Sequence, residues 1–204
     1  LQPQAVRAQL ECADPDLVAF VFDNGDINTQ TNLYSTISAR LVLLNPSESC
    51  ASGFELNIAL PSGLLYMNAT FPVDAINIGV GTNLIVGYAH PQYAVDNQIE
   101  LCTVDFLVMS ENPLDLYLAP ADPASISGTM AYLGCQEDII PMDPISGDYN
   151  LPVARINGYQ DLVYCGGSPY ENMTVQISAL GDDNNIAGTA PGALDGFDVA
   201  FDQL

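Results

Sequence analysis

Sixteen glycines and 14 prolines break the 204 residues into short runs. Within those runs apolar residues alternate with polar ones instead of recurring at helical spacing. The stretch "GFELNIALP" (53–61) shows it: Phe54, Leu56, Ile58 and Leu60 fall on one side, Glu55 and Asn57 on the other. A period of two is that of a strand with one face buried, and frequent breakers leave little room for helix. The chain is therefore expected to be all-β. Further strand runs lie at 17–23, 33–45, 63–71, 75–80, 83–89, 98–110, 114–120 and 125–134. The stretch 135–152 holds three prolines and four acids and reads as irregular. Strand runs resume at 153–158, 161–165 and 173–180. A polar, Gly-rich loop (181–196) then precedes "FDVAFD" (197–202), where Phe197, Val199 and Phe201 again alternate. About 12 candidate strands suit a sandwich, and no internal repeat points to a solenoid. The expected organisation is an arm (1–16), a sandwich core (17–133) and a β-rich extension (134–204) that is either part of the same domain or a small second lobe.

The charge balance narrows the partners. The chain has 25 acids against three cations, Arg7, Arg40 and Arg155, for a net charge of −22. Charged residues are only 14% of the total, against about 25% in average usage, so small polar residues must supply most of the surface. Nucleic acid is excluded as a partner, because Lys and Arg supply that affinity, and an anionic membrane surface is excluded on the same ground. No apolar run approaches the ~18 residues of a spanning helix. A chain beginning "LQPQAVRAQLE", with neither a basic n-region nor an apolar h-region, reads as a secreted protein after signal cleavage, or as an excised fragment.

The five cysteines, Cys12, Cys50, Cys102, Cys135 and Cys165, form no C-x-x-C pair, and one histidine leaves little for a zinc site. Scattered cysteines in an acidic, exported chain read as disulfides. The expected pairs are Cys135–Cys165, closing the Pro-rich loop, and Cys50–Cys102, tying two strands. Cys12 is then free or intermolecular. The alternative is that all are small buried apolar residues.

Residues 17–133 resemble the cohesin-like and related Ig-like β-sandwich modules of secreted bacterial proteins. The order of features carries the resemblance: "ARLVLLNPS" before "GFELNIALPSGLL", then "IELCTVDFLV", "LDLYLAP" and "SISGTMAYLG". It implies an Ig-like or cohesin-like antiparallel β-sandwich, here with a β-rich, disulfide-tied C-terminal extension. Cohesins in cellulosomes bind dockerins, and related modules serve cell-surface assembly. This chain departs from them in its cysteines and its extension, so the dockerin-binding role is carried over to no residue.

Catalytic patterns are lacking. His90 has no G-x-S-x-G elbow to serve, "GVGTN" lacks the G-K-[ST] of a phosphate loop, and 25 acids make some carboxylate pair inevitable without meaning a glycosidase. Structural Ca²⁺ is a candidate cofactor. Asp23, Asn24, Asp26 and Asn28 form one oxygen-rich loop, Asp182, Asp183, Asn184 and Asn185 another, and Glu137, Asp138, Asp143 and Asp148 a third cluster. None follows the EF-hand spacing, and the same residue types also build turns. Two Asn-x-Thr triplets begin at Asn68 and Asn172, so a glycan can be attached.

These readings favour a non-enzymatic extracellular structural protein, a cell-surface filament subunit. Its copies would assemble by exchange of a terminus or strand, with Phe197, Val199 and Phe201 as the donated face. The alternative is a secreted cohesin-like or carbohydrate-binding module of a larger surface protein.

Overall fold

The computed structural model describes Cys12 and residues 14–165. Among the described residues there are twelve strands and no helix. They are β1 (Leu17–Phe22), β2 (Asn28–Thr29), β3 (Thr36–Leu44), β4 (Cys50–Ala59), β5 (Leu64–Thr70) and β6 (Ala75–Asn77). Then come β7 (Asn83–Tyr93), β8 (Gln98–Val108), β9 (Leu114–Ala119), β10 (Met130–Gly134), β11 (Ile139–Pro144) and β12 (Ala154–Ile156). One layer runs β11–β1–β3–β8–β5. The other runs β6–β7–β4–β10–β11. The second half of β4 pairs instead with β9, which leads to β12 and β2. β11 belongs to both layers, antiparallel to β10 and parallel to β1. The sheet is thus mixed, since β12 also runs parallel to β2. Both described strands that fall within the expected extension (134–204), β11 and β12, are hydrogen-bonded into these layers.

The core lies between the inward faces. Phe20, Leu41, Val104 and Phe106 come from the first layer, and Phe54, Leu56, Val86 and Tyr132 from the second. The alternation of "GFELNIALP" is realised in β4, where Phe54, Leu56 and Ile58 are buried. β1 is buried throughout, as a continuous apolar run allows for a strand covered on both faces. The Tyr88 hydroxyl (β7) donates to the Leu101 carbonyl (β8) at 2.6 Å, a hydrogen bond that bridges the layers.

Three expectations change. β2 lies in what reads as a polar turn. β11 falls in the Pro-rich stretch. Residues 161–165 form no strand. β11 tolerates its prolines because of where their missing N–H groups would point. Asp143 and Ile145 donate to β1, at Asp16 and Val18, so odd-numbered residues face that strand. Pro141 faces the same way but precedes the pairing with β1, which starts at Asp143. Pro144 faces β10 but follows the last pair there, Met130 with Met142. No ladder bond is lost, in keeping with proline at strand edges.

The Tyr132 side chain is buried where β1, the β3–β4 loop and β10 meet. Its hydroxyl donates to Asp16 Oδ1 (2.8 Å), accepts from the Glu48 N–H (3.3 Å) and lies 3.2 Å from Ser47 Oγ. Burial foremost, then the bond to the Asp16 carboxylate, pushes its pKa up to about 12. The fold thus holds this phenol protonated. The stability it supplies is intact below the ordinary value near 10 and is lost as pH climbs toward about 12. Alkaline unfolding, followed by phenolate absorbance and circular dichroism, is expected to be shallower for Tyr132→Phe across that window.

Candidate functional site

The outward face of the second layer is apolar where a solvated sheet face would be polar. Inward Phe54, Val86 and Tyr132 fix the alternation, so their strand neighbours point out. The register then aligns Ile76, Gly87, Gly53, Leu133 and Ile139 in one cross-strand row. Ile85, Glu55, Ala131 and Pro141 form the next. The Ile78 N–H donates to the Ile85 carbonyl and extends that row. Ile76, Ile78 and Val80 are 68%, 74% and 85% exposed. Large exposed apolar patches of this kind mark interaction sites.

Two glycines make the face concave. A Cβ at Gly53 would lie 2.5 Å from the Val86 carbonyl oxygen, so only glycine fits there. Gly87 has open space above it. The result is a trough of about 190 Å³, lined by Gly53, Glu55, Ile85, Gly87, Leu133 and Ile139 among others.

Glu55 lies in this trough and is the one buried charged side chain among the described residues, 8% exposed. Its Oε1 accepts the Ser125 N–H at 2.6 Å, and its Oε2 the Ser125 hydroxyl at 2.8 Å. These bonds pin the β9–β10 loop beside the trough. A second clamp holds the same loop: the Asn83 side chain donates to the Asp122 carbonyl (2.8 Å) and accepts its N–H (3.0 Å). No described arginine neutralises Glu55, because Arg40 pairs with Glu100 (3.6 Å) and Arg155 with Asp115 (2.6 Å). The trough is therefore an apolar cradle around a carboxylate with lone pairs to spare.

The cysteines pair differently from expectation. The bonds are Cys50–Cys135 and Cys12–Cys165, and Cys102 is the buried free thiol. Cys50 opens β4 and Cys135 follows β10, whose pairing with β4 sets Gly134 against Ala51, so the two Cα atoms are 5.4 Å apart. Cys102 faces the core from β8 in the other layer, and burial raises its pKa. Cys12 is not left over. The chain after β12 is led to it by Arg155, which donates to the Gln160 carbonyl, and by Asn28, whose side chain brackets Leu162 (2.7 and 2.9 Å).

Asp23 and Asp26 lie in the β1–β2 turn and Asn28 opens β2, and side-chain oxygens of Asn24, Asp26 and Asn28 accept hydrogen bonds from within the chain. Asn24 Oδ1 accepts the Asp26 N–H, Asp26 Oδ1 accepts from both Asn28 nitrogens, and Asn28 Oδ1 accepts the Leu162 N–H. No group of three or more His, Cys, Asp or Glu among the described residues is placed to hold a metal. Asp182, Asp183, Asn185, Asn172, Phe197, Val199 and Phe201 lie outside the described residues. Asn68 stands exposed on β5. Sequence reasoning missed Glu55 as a site residue, since an acid at an outward strand position reads as solvated. Its outward neighbours along β4, Gly53 and Asn57, gave no signal, and the apolar ones, Ile85 and Ala131, come from other strands.

No family model matches the sequence, and no curated protein matches it. Similar solved structures are cohesin modules, the class that residues 17–133 resemble. One is a type II cohesin domain from the cellulosome of Acetivibrio cellulolyticus, 16% identical, with a TM-score of 0.48 over 71% of this chain and 96% of that one. Another is the second type II cohesin module of the adaptor scaffoldin ScaA from the same organism, 13% identical, TM-score 0.49, covering 74% and 94%. A third is the sixth cohesin of its scaffoldin B, in complex with a Cel5 dockerin mutant, 9% identical, TM-score 0.45, covering 69% and 98%. No helix among the described residues is long and apolar enough to cross a membrane.

Proposed function

We propose that this chain is a secreted, non-catalytic protein-binding module of a larger surface assembly, and that its partner docks on the trough face of β6–β7–β4–β10–β11. The observation that carries the reading is the combination of an exposed apolar face with a carboxylate in its trough that no described cation pairs with. An apolar partner segment with one basic side chain fits it. The apolar residues cover Ile76, Ile78 and Ile85, while an Arg or Lys meets Glu55 in a charge-assisted hydrogen bond. A second copy is poorly suited, because the net charge is −22 and both described arginines are already paired. That charge argument sets the filament reading, with its donated strand at Phe197, Val199 and Phe201, behind the binding-module reading.

The test is a methyl NMR titration with a capped Leu-Arg-Leu peptide and its citrulline analogue. The arginine peptide is expected to shift the Ile76, Ile85, Leu133 and Ile139 signals. Glu55→Gln is expected to weaken it about ten- to a hundredfold, in line with ~1.5–3 kcal/mol for a hydrogen bond to a charged group. Gly87→Leu, which has room to fold but fills the trough, is expected to abolish binding without lowering the melting temperature. Shifts confined to other surfaces would overturn the reading.

A further inference from the structure

Among the described residues β5 is the edge of the first layer: its one strand partner there is β8, and its sequence, LLYMNAT, carries no charge. Such an edge offers unpaired N–H and C=O groups to any passing strand, and proteins normally blunt it with charge, proline or a bulge. Here there is a bulge, where the register shifts between Tyr66 and Asn68. Beside it stands the triplet Asn68-Ala69-Thr70, the acceptor pattern for N-linked sugar.

The geometry of the triplet suits that chemistry. Asn68 and Thr70 are exposed and share the outer face, opposite Asp105 and Thr103, while Ala69 turns inward and is half-buried. The Asn68 Nδ2–H donates to Thr70 Oγ1 at 3.3 Å, so the hydroxyl already engages the amide that must lose a proton. The outer face toward β8 and β3 is polar: the Ser38 hydroxyl donates to Asp105, and Arg40 pairs with Glu100. A sugar there would cover no apolar docking surface, because the trough belongs to the other layer. The two disulfides suit an oxidising, exported compartment, where such transfer takes place.

We infer that Asn68 is an N-glycan acceptor and that its sugar caps the β5 edge. The donor is an oligosaccharide on a polyprenyl diphosphate. The Asn68 Nδ2–C1 bond forms, the C1–O bond to the diphosphate breaks, the amide proton passes to a carboxylate of the transferase, and the polyprenyl diphosphate leaves. No electrons are exchanged.

The test uses the full chain secreted from eukaryotic cells, whose transferase reads this triplet. Peptide N-glycosidase in heavy-oxygen water is expected to convert Asn68 to heavy-oxygen aspartate. Thr70→Ala should remove the modification, and Thr70→Ser should retain it. Unmodified Asn68 in the secreted wild-type chain overturns the proposal, whatever Asn172 carries. The capping role is read from Asn68→Gln by size exclusion over a concentration series. Association that grows with concentration supports it. An elution volume that stays at the monomer position across the whole series overturns it.

Discussion

Replacing Cys12 with serine is expected to lower the stability of the fold by about 2–5 kcal/mol, the upper figure being the chain-entropy limit for a loop this long. The bond joins residues 153 positions apart, so it restrains nearly the whole described chain once unfolded. Serine leaves almost no cavity, so the loss reports the cross-link. Urea denaturation provides the measurement, with the midpoint of Cys12→Ser compared with Cys165→Ser and with the double variant. Each single change should cost the same, and the double change no more, because either one removes the same bond. An unchanged midpoint in both single variants would show that the fold does not need Cys12 and Cys165 tied.

Phe106→Ala should be comparably severe, at ~3–5 kcal/mol for truncating a buried aromatic ring. Phe106 is fully buried in β8 and packs edge-to-face on Phe20 of β1, with centroids 5.7 Å apart and an interplanar angle of 83°. That arrangement adds about 0.5–1.5 kcal/mol beyond area alone. Because the rings touch, Phe20→Ala and Phe106→Ala are expected to cost less together than their sum. Tyr159→Ala, at an 89% exposed position, should leave the denaturation midpoint where it was. Were Tyr159→Ala to cost as much as Phe106→Ala, the placement of the core between the layers would be wrong.

The strands whose period-2 pattern faces one core were legible from sequence. β4 and β8 are the clearest, with Leu56 and Phe106 where alternation puts them. β11 was not, because Pro141 and Pro144 read as breakers until the register shows that neither is asked for an N–H. The disulfides were not legible either. Pairing depends on which strands are neighbours, and β4 meets β10 across 75 intervening residues or more. The candidate site hid for a different reason. Ile76 and Ile78 look like core residues, since hydropathy cannot tell a face packed on its own chain from one packed on a partner. Glu55 looks like a surface acid because its partner, Ser125, comes from a loop 70 residues further along the chain.

The Cys12–Cys165 bond also sets the path that tension takes through the molecule. The described residues begin and end at two covalently joined points whose Cα atoms are 4.3 Å apart. A pull between the segment before Cys12 and the segment after Cys165 runs across that bond and never reaches the twelve strands between. Under load the module behaves as a knot on a string. In the larger assembly proposed for it, it would add almost nothing to the extension, and its trough would keep its shape while the string is taut.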